Sequence, residues 1–429
     1  MLKRSQEKPE KDFNKKGGGG STAALRFKEK NMDIQYLHDL VWRRFVRMPY
    51  GHVLDYADEK GRVFIPTAEE CDKAVPNPLG WWTPIENGAF FTGVYLYSLI
   101  EAYEKSKDEK TRGEIDILVN GMFLLQDVGS VEGFIARGVA DDGKSHYPFS
   151  SEDQFGPFVL ALYRYYKSEL CKNKDEVKER LLRALVAVKN NGWNIPCDVE
   201  GLYFCSWGNS SAWRGVCKLL FCARVIYELT GDEEDLRYYR TLGAERPADG
   251  IFSRLEIASH GYSHDLVAFL GAKQNWICAC AHLSLRELSR LDGEGSQYYK
   301  AGLKNNGITA VGIVDDIKKY DNSKEGFDID WRRINHLWED YENNVSKGIS
   351  VAYRESTFWH GEVVPHRKIE HGVLGNALFS ALIAVTCGDK AIADSSLARL
   401  IKHCDHVDWE NLHQSYAFVA ESAMILGGL

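Results

Sequence analysis

The chain has no basic stripe: 53 Lys and Arg stand against 61 Asp and Glu, for a net charge of −8. A protein that grips a phosphate backbone needs Lys and Arg clustered on one face, so nucleic acid is not an expected partner. Residues 1–30 lack the apolar core of a signal peptide and offer nothing to span a bilayer. The expectation is a chain with no membrane span, cytoplasmic or periplasmic, with the cytoplasm favoured. The run Gly17 to Gly20 has no strand before it and no Gly-Lys-Ser/Thr after it, which excludes a phosphate loop. By composition it is a flexible linker, and residues 1–30 are expected to form a disordered tail. Ten Cys are present, but no two pairs stand at zinc-ligand spacing. Cys278 and Cys280 project to different sides of a helix, and Cys217 and Cys222 lie in apolar stretches as small buried hydrophobes. No metal or cofactor is expected, and unpaired thiols suit a reducing compartment.

What is plentiful is aromatic. With 44% hydrophobic and 27% charged residues the chain has ample core, and 429 residues suit either several average domains or one repeat array closed on itself. The 11 Trp, 21 Tyr and 19 Phe are the outlier, because many of them sit beside Gly, Asn, Ser or His rather than inside apolar runs.

Six times an apolar segment of helical length is followed by a short polar break and a second helical segment. Five of the breaks carry acidic turn residues, around Asp108, Asp175, Asp232, Asp292 and Asp389. Neighbouring breaks roughly sixty residues apart are too widely spaced for a tetratricopeptide or ankyrin unit and suit a pair of longer helices. The periodicity predicts twelve helices, at 33–48, 86–106, 111–127, 151–169, 174–192, 208–230, 232–245, 266–291, 296–318, 366–387, 390–404 and 410–427. Residues 49–85 are expected to be irregular, running into NPLGWWTPIENG with its two prolines and two glycines.

The two members of each pair differ in kind. The first members, such as GAFFTGVYLYSLIEAY and GVLGNALFSALIAV, are apolar and rich in small residues; the second, such as DEVKERLLRALVAVKN, carry charge along one face. A helix apolar all round is buried on several sides and an amphipathic one covers it from outside, so two concentric layers are expected.

The starts of the first helices are polar and aromatic, unlike ordinary connectors. Trp81, Trp82, Glu86 and Asn87 enter the second predicted helix, and His146, Glu152, Asp153 and Gln154 the fourth. Trp207 and Trp213 enter the sixth, His260, His264 and Trp276 the eighth, and Trp359, His360 and His366 the tenth. Aromatic faces stack on the C–H face of a pyranose while amides, imidazoles and carboxylates bond its hydroxyls, which suits a sugar site; equally, loop aromatics cap a core.

In architecture and in the style of these helix starts, residues 33–429 resemble the six-hairpin (α/α)6 toroids of carbohydrate-active enzymes, nearest to the unsaturated glycuronyl hydrolases. The resemblance implies an all-α toroid of six helical hairpins as a single domain over residues 31–429. It further implies an oligosaccharide substrate held in a funnel where the inner-helix N-termini meet. Catalytic aspartates of such hydrolases occupy inner-helix starts; here the matching positions are Glu86 and Asp153.

Hydrolysis of a glycoside needs a proton donor and a base or nucleophile, and Glu86 and Asp153 are the expected pair. Against this, SSEDQ also reads as a helix start, with Ser150 or Ser151 as cap and acids complementing the dipole. Arg137 is a candidate clamp for a uronate carboxylate, whereas Asp141 and Asp142 read as a turn. The expected substrate-binding set is Trp81, Trp82, Arg137, His146, Gln154, Trp207, Trp213, His260, His264, Trp276, Trp359 and His360. Two alternatives remain open: a lyase or epimerase on the same fold using His, Tyr and Arg, with His371 near the tenth helix, or a glycan-binding toroid without catalysis. Residues 319–365 interrupt the repeat with a helical DIDWRRINHLWEDYENN and a strand-like SVAYREST. Such an insertion is expected either to overhang the funnel or to pack against another copy of the chain.

Overall fold

A computed structural model describes residues 33–248, 250–268, 275–322 and 328–429; the predicted tail at 1–30 lies outside the described residues. Helix dominates. In order, the helices are α1 (Ile34–Arg44), α2 (Ala68–Asp72), α3 (Gly88–Ser106), α4 (Glu109–Asp127), α5 (Glu152–Lys167), α6 (Lys174–Asn190), α7 (Trp213–Thr230), α8 (Glu233–Ala244) and α9 (Arg254–His260). They continue with α10 (Ser263–Ala268), α11 (Asn275–Leu291), α12 (Ser296–Val311), α13 (Val345–Phe358), α14 (Pro365–Ile369), α15 (Asn376–Val385), α16 (Lys390–Cys404) and α17 (Ala417–Gly427). The strands among the described residues form two small antiparallel ribbons, β1 (Val46–Arg47) with β2 (His52–Val53) and β3 (Asn194–Pro196) with β4 (Tyr203–Ser206).

Four of the five polar breaks supply a helix cap; the one around Asp292 does not, since α12 has Gly295 at its cap position and no side-chain cap, and at the one around Asp175 the cap is Asn173. Asp108 accepts the Thr111 N–H at the start of α4, Asn173 that of Glu176 in α6, Asp232 that of Glu234 in α8, and Asp389 those of Ala391 and Ile392 in α16. Each satisfies donors that the first turn leaves without an intrahelical partner. The predicted Ser cap at α5 does not form. Ser151 stands at the cap position without a side-chain bond to the helix, and the Ser150 hydroxyl donates to Ile135 O instead.

The apolar helices are buried all round, from Gly88 through Glu101 in α3 and throughout α15, whereas α8 buries only Leu236, Tyr239, Leu242 and Gly243. Among the apolar helices α3 lies against α5 and α17, α5 against α7 and α11, α7 against α11, α11 against α15, and α15 against α17. Each carries a companion that is only partly buried: α4 on α3, α6 on α5, α8 on α7, α12 on α11, α16 on α15 and α1 on α17.

Several boundaries move. The β3–β4 ribbon precedes α7, which starts at Trp213 rather than 208, and the segment 296–318 changes at 313 into a 3-10 helix, Ile313–Lys319. The last helix starts at 417 and not near 410, after a short 3-10 turn, Trp409–Asn411. In the insertion, Trp331–Leu337 is a 3-10 helix, and the stretch read as a strand is α13. There the alternation of SVAYREST yields to a helix capped by Asn344, which accepts the Lys347 N–H. From α13 to α15 the backbone runs through two π turns, Trp359–Val363 and Glu370–Gly375.

Candidate active site

The turn before α3 is built by one amide. The buried Asn77 side chain accepts the N–H groups of Leu79 and Trp81, each at 3.1 Å, and donates to Trp81 O at 3.2 Å. Gly80, at φ +61°, has the Tyr147 ring 2.2 Å from where a Cβ would stand, so no side chain fits. Trp82 follows at φ +76°, a conformation that costs a non-glycine residue about 1–3 kcal/mol and persists only where the surroundings over-determine it. They do: its N–H donates to Glu86 Oε2 at 2.8 Å, its carbonyl accepts the Tyr56 hydroxyl at 2.7 Å, and its indole N–H donates to Ala352 O in α13 at 3.2 Å.

Asn87 then opens α3 without capping it, because its amide is turned to Asp55. The Asn87 N–H and Nδ2 donate to the two Asp55 oxygens at 2.7 and 2.6 Å. The α3 donor at Phe90 is met from the next apolar helix, by Gln154 Oε1 at 3.2 Å. Arg137 approaches from the loop before α5, donating from Nε to Phe149 O and from Nη1 to Glu86 O, at 3.1 and 3.0 Å.

These elements border a cavity of about 510 Å³. Asp55, Glu86 and Asp153 supply carboxyl groups to it, and Arg137, Arg214 and Arg367 supply guanidinium groups. Trp81, Trp82, Phe204, Trp276, Tyr353 and Tyr416 form much of its wall, joined by His360 and His371. The insertion borders this space, since Ile349, Tyr353 and His360 belong to α13 and the π turn after it.

Ionisation in the cavity is perturbed. Burial, reinforced by the charge of Glu86, pushes Asp55 up to about 8 even though Arg367 and the two Asn87 bonds oppose it. Burial also raises Asp153, against the opposing field of Lys218. His360 and His371 both fall to about 4, through burial and then the Arg367 charge, and are neutral at pH 7. His371 Nδ1 is hydrogen-bonded to the Tyr416 hydroxyl, which donates to Gln414 Oε1 at 3.0 Å. Glu370, in the same π turn, anchors the facing loop by accepting the N–H groups of His413 and Gln414.

Of the residues expected from sequence, the cavity wall brings together Glu86, Asp153, Trp81, Trp82, Arg137, Trp276 and His360. The others are elsewhere. Gln154 is spent on α3 and Asn87, and Trp207 donates its indole N–H to Glu152 at 3.0 Å. Trp213 lies wholly in the core, bonded to Ala258 O, and Trp359 packs with Tyr56 and Trp331 in a second apolar cluster. His146 pairs with Asp198 at 2.9 Å. His260 and His264 do face alike, with ring centroids 5.6 Å apart, but outside the cavity wall. Asp142 is the turn residue it reads as, accepting from Lys144 and Ser145 N–H.

Sequence reasoning missed Asp55, Arg214, Tyr353, Arg367 and Tyr416. The one signal for Asp55 is a carboxylate between residues as apolar as Leu54 and Tyr56 in a stretch with no period. Among the described residues, no group of three or more His, Cys, Asp or Glu is placed to hold a metal ion, and no helix is long and apolar enough to cross a membrane. All ten cysteines are free thiols, nine of them buried.

Comparison of the chain with protein-family models, with curated proteins and with solved structures finds no match in any of the three.

Proposed function

We propose that the chain is a glycoside hydrolase acting on an oligosaccharide, with its six apolar helices forming the inner ring of an (α/α)6 toroid around the site. The ring is supported by the succession of helix contacts, which passes from α3 through α5, α7, α11, α15 and α17 back to α3. The hydrolase reading is carried by one observation: three carboxyl groups border a single aromatic-walled cavity, where burial and the Glu86 charge push one of them, Asp55, up to about 8.

In this reading the Asp55–Glu86 pair is the proton source. Its proton passes to the glycosidic oxygen as the bond from that oxygen to the anomeric carbon breaks, and Asp153 serves as the base that takes a proton from the attacking water. The water oxygen becomes the new anomeric hydroxyl, so substrate and water are fully accounted for in two sugar products. Trp81, Trp82 and Trp276 offer stacking faces. Arg137, Arg214 and Arg367 favour a substrate containing a uronic acid, since a planar guanidinium matches a carboxylate.

A panel of saturated and unsaturated disaccharides, followed by mass spectrometry, tests this. Hydrolysis adds the mass of water and is expected to disappear in Asp153→Asn and Asp55→Asn. Cleavage without added water overturns it in favour of a lyase, altered retention at constant mass in favour of an epimerase, and binding without turnover in favour of a glycan receptor. The lyase or epimerase reading has a specific observation behind it, the neutral His371 bonded to Tyr416 on the same cavity, which is a proton acceptor and donor in contact. His371→Gln abolishes turnover under that reading and spares hydrolysis under the first.

A further inference from the structure

Asp153 has a buried lysine at its back. Lys218 of α7 has a side chain only 1% exposed, and its ammonium lies 2.8 Å from Glu152 Oε2 and 3.6 Å from Asp153 Oδ1. Room for its stem is made by Gly156 of α5, where a Cβ would come within 2.8 Å of Lys218 Cδ. An ammonium is buried only with compensation, and here two consecutive acids of α5 supply it.

The two acids are used differently. Glu152 is tied on both oxygens, Oε2 accepting the Trp207 indole N–H at 3.0 Å and Oε1 the Arg214 Nε–H at 3.3 Å, and it is absent from the cavity wall. Asp153 faces the cavity. We propose that Lys218 is a positioning residue for the charge of Asp153: Glu152 anchors the ammonium behind the wall, 2.8 Å away, and the ammonium, 3.6 Å from Asp153, favours its carboxylate form.

The neighbouring charges agree with this division. Burial pushes Asp153 up and the Glu152 charge adds to it, while Lys218 is the strongest opposing influence, with Arg214 and Arg137 after it. Glu152 is held down to about 2 despite its burial, by Lys218 first and then Arg214. From α11 the facing groups are the thiols Cys278 and Cys280, which burial keeps neutral, and Asp265 is engaged by the N–H groups of Trp213 and Arg214.

The inference rests on Asp153 serving as the base, and the variants make opposite predictions for one observable, the acidic limb of kcat/KM on a hydrolysed disaccharide. Lys218→Met is expected to move that limb up by about one pH unit, since a neighbouring opposite charge is worth roughly one to three units. Glu152→Gln, nearly isosteric, is expected to move it down, and the double variant to fall between them. A limb that stays in place in both single variants, or moves the same way in both, overturns the proposal. If Lys218→Met does not fold by circular dichroism, the downward shift in Glu152→Gln decides alone. If Asp153→Asn retains full turnover, the hydrolase role of Asp153 fails while the electrostatic claim is still read directly. Carbon-detected titration of the aspartate carboxyls, with Asp153 assigned by its loss in Asp153→Asn, must then show the same opposite shifts, and their absence overturns it.

Discussion

At the junction of α1, α4 and α17, His38 lies between Glu114 and Glu421, 3.0 and 2.8 Å away, and the Tyr95 hydroxyl donates to Glu421 at 2.9 Å. Around the cavity Asp55, Glu86 and Asp153 are likewise carboxyl groups in protein surroundings. Both clusters perturb ionisation, His38 rising to about 9 as its two glutamates outweigh burial and Asp55 to about 8. The difference is where the side chains face. In the first cluster they face one another and tie the first helix to the last, so that their interaction is realised as stability. In the second they face open volume between aromatic walls, and their interaction is available to a ligand. A shifted ionisation is therefore no sign of a site by itself; open space beside it is what separates the two.

The largest test of that contrast is catalytic. Asp153→Asn and Asp55→Asn are expected to lower kcat by about 10²–10⁴-fold, as loss of acid–base groups does, with circular dichroism showing an intact fold. Glu421→Ala works the other way: it leaves His38 with Glu114 alone and takes the carboxylate from the buried Tyr95 hydroxyl, which should cost about 1–3 kcal/mol in urea unfolding, with turnover per folded molecule unchanged. An activity loss in Glu421→Ala with full stability would erase the distinction. The tryptophans sharpen it in the same sense. Trp359→Ala should lose about 3–5 kcal/mol of stability for want of a core side chain, whereas Trp81→Ala should mainly raise KM, by about tenfold for one lost stacking face.

The pH dependence of stability follows from His38. Its proton is held more tightly in the fold than in the unfolded chain, so its contribution is complete below 6.5 and is lost as pH rises through about 9. Urea midpoints measured across that window should fall, and His38→Asn should flatten the trend. The smallest effect is expected of His146→Ala, which breaks the pairing with Asp198 outside the cavity: about 1 kcal/mol of stability and no change in turnover.

Much of the helical pattern was legible because its causes are local. A run such as that of α15 is apolar all round, and Asp108, Asp232 and Asp389 mark helix starts within three residues of the donors they bind, while the break read around Asp175 is capped two residues earlier, by Asn173. The candidate site was legible in part. Glu86, Asp153, Trp81 and Trp82 announced themselves by crowding polar and aromatic types at a helix start. Trp207, Trp213 and Trp359 were announced by the same crowding and went instead to the core or to Glu152, since an indole serves a wall and a core equally well. Arg367 and Tyr416 carried no local signal: they reach the cavity from a segment between two π turns and from a loop just before α17.

The alternation of apolar and more charged helices and the breaks that start α4, α8 and α16 follow from the sequence alone, because periodicity and capping act over a few residues. Which of the remaining polar groups meet was decided only by the tertiary structure. The starts of α3, α5 and α7 have no side-chain caps of their own, and Gln154 serves α3 and Asp265 serves α7 from other helices. Asp55, Glu86 and Asp153, distant along the chain, border one cavity because α3 and α5 pack together and the segment after β2 is held to the start of α3 by the Asn87 bonds to Asp55.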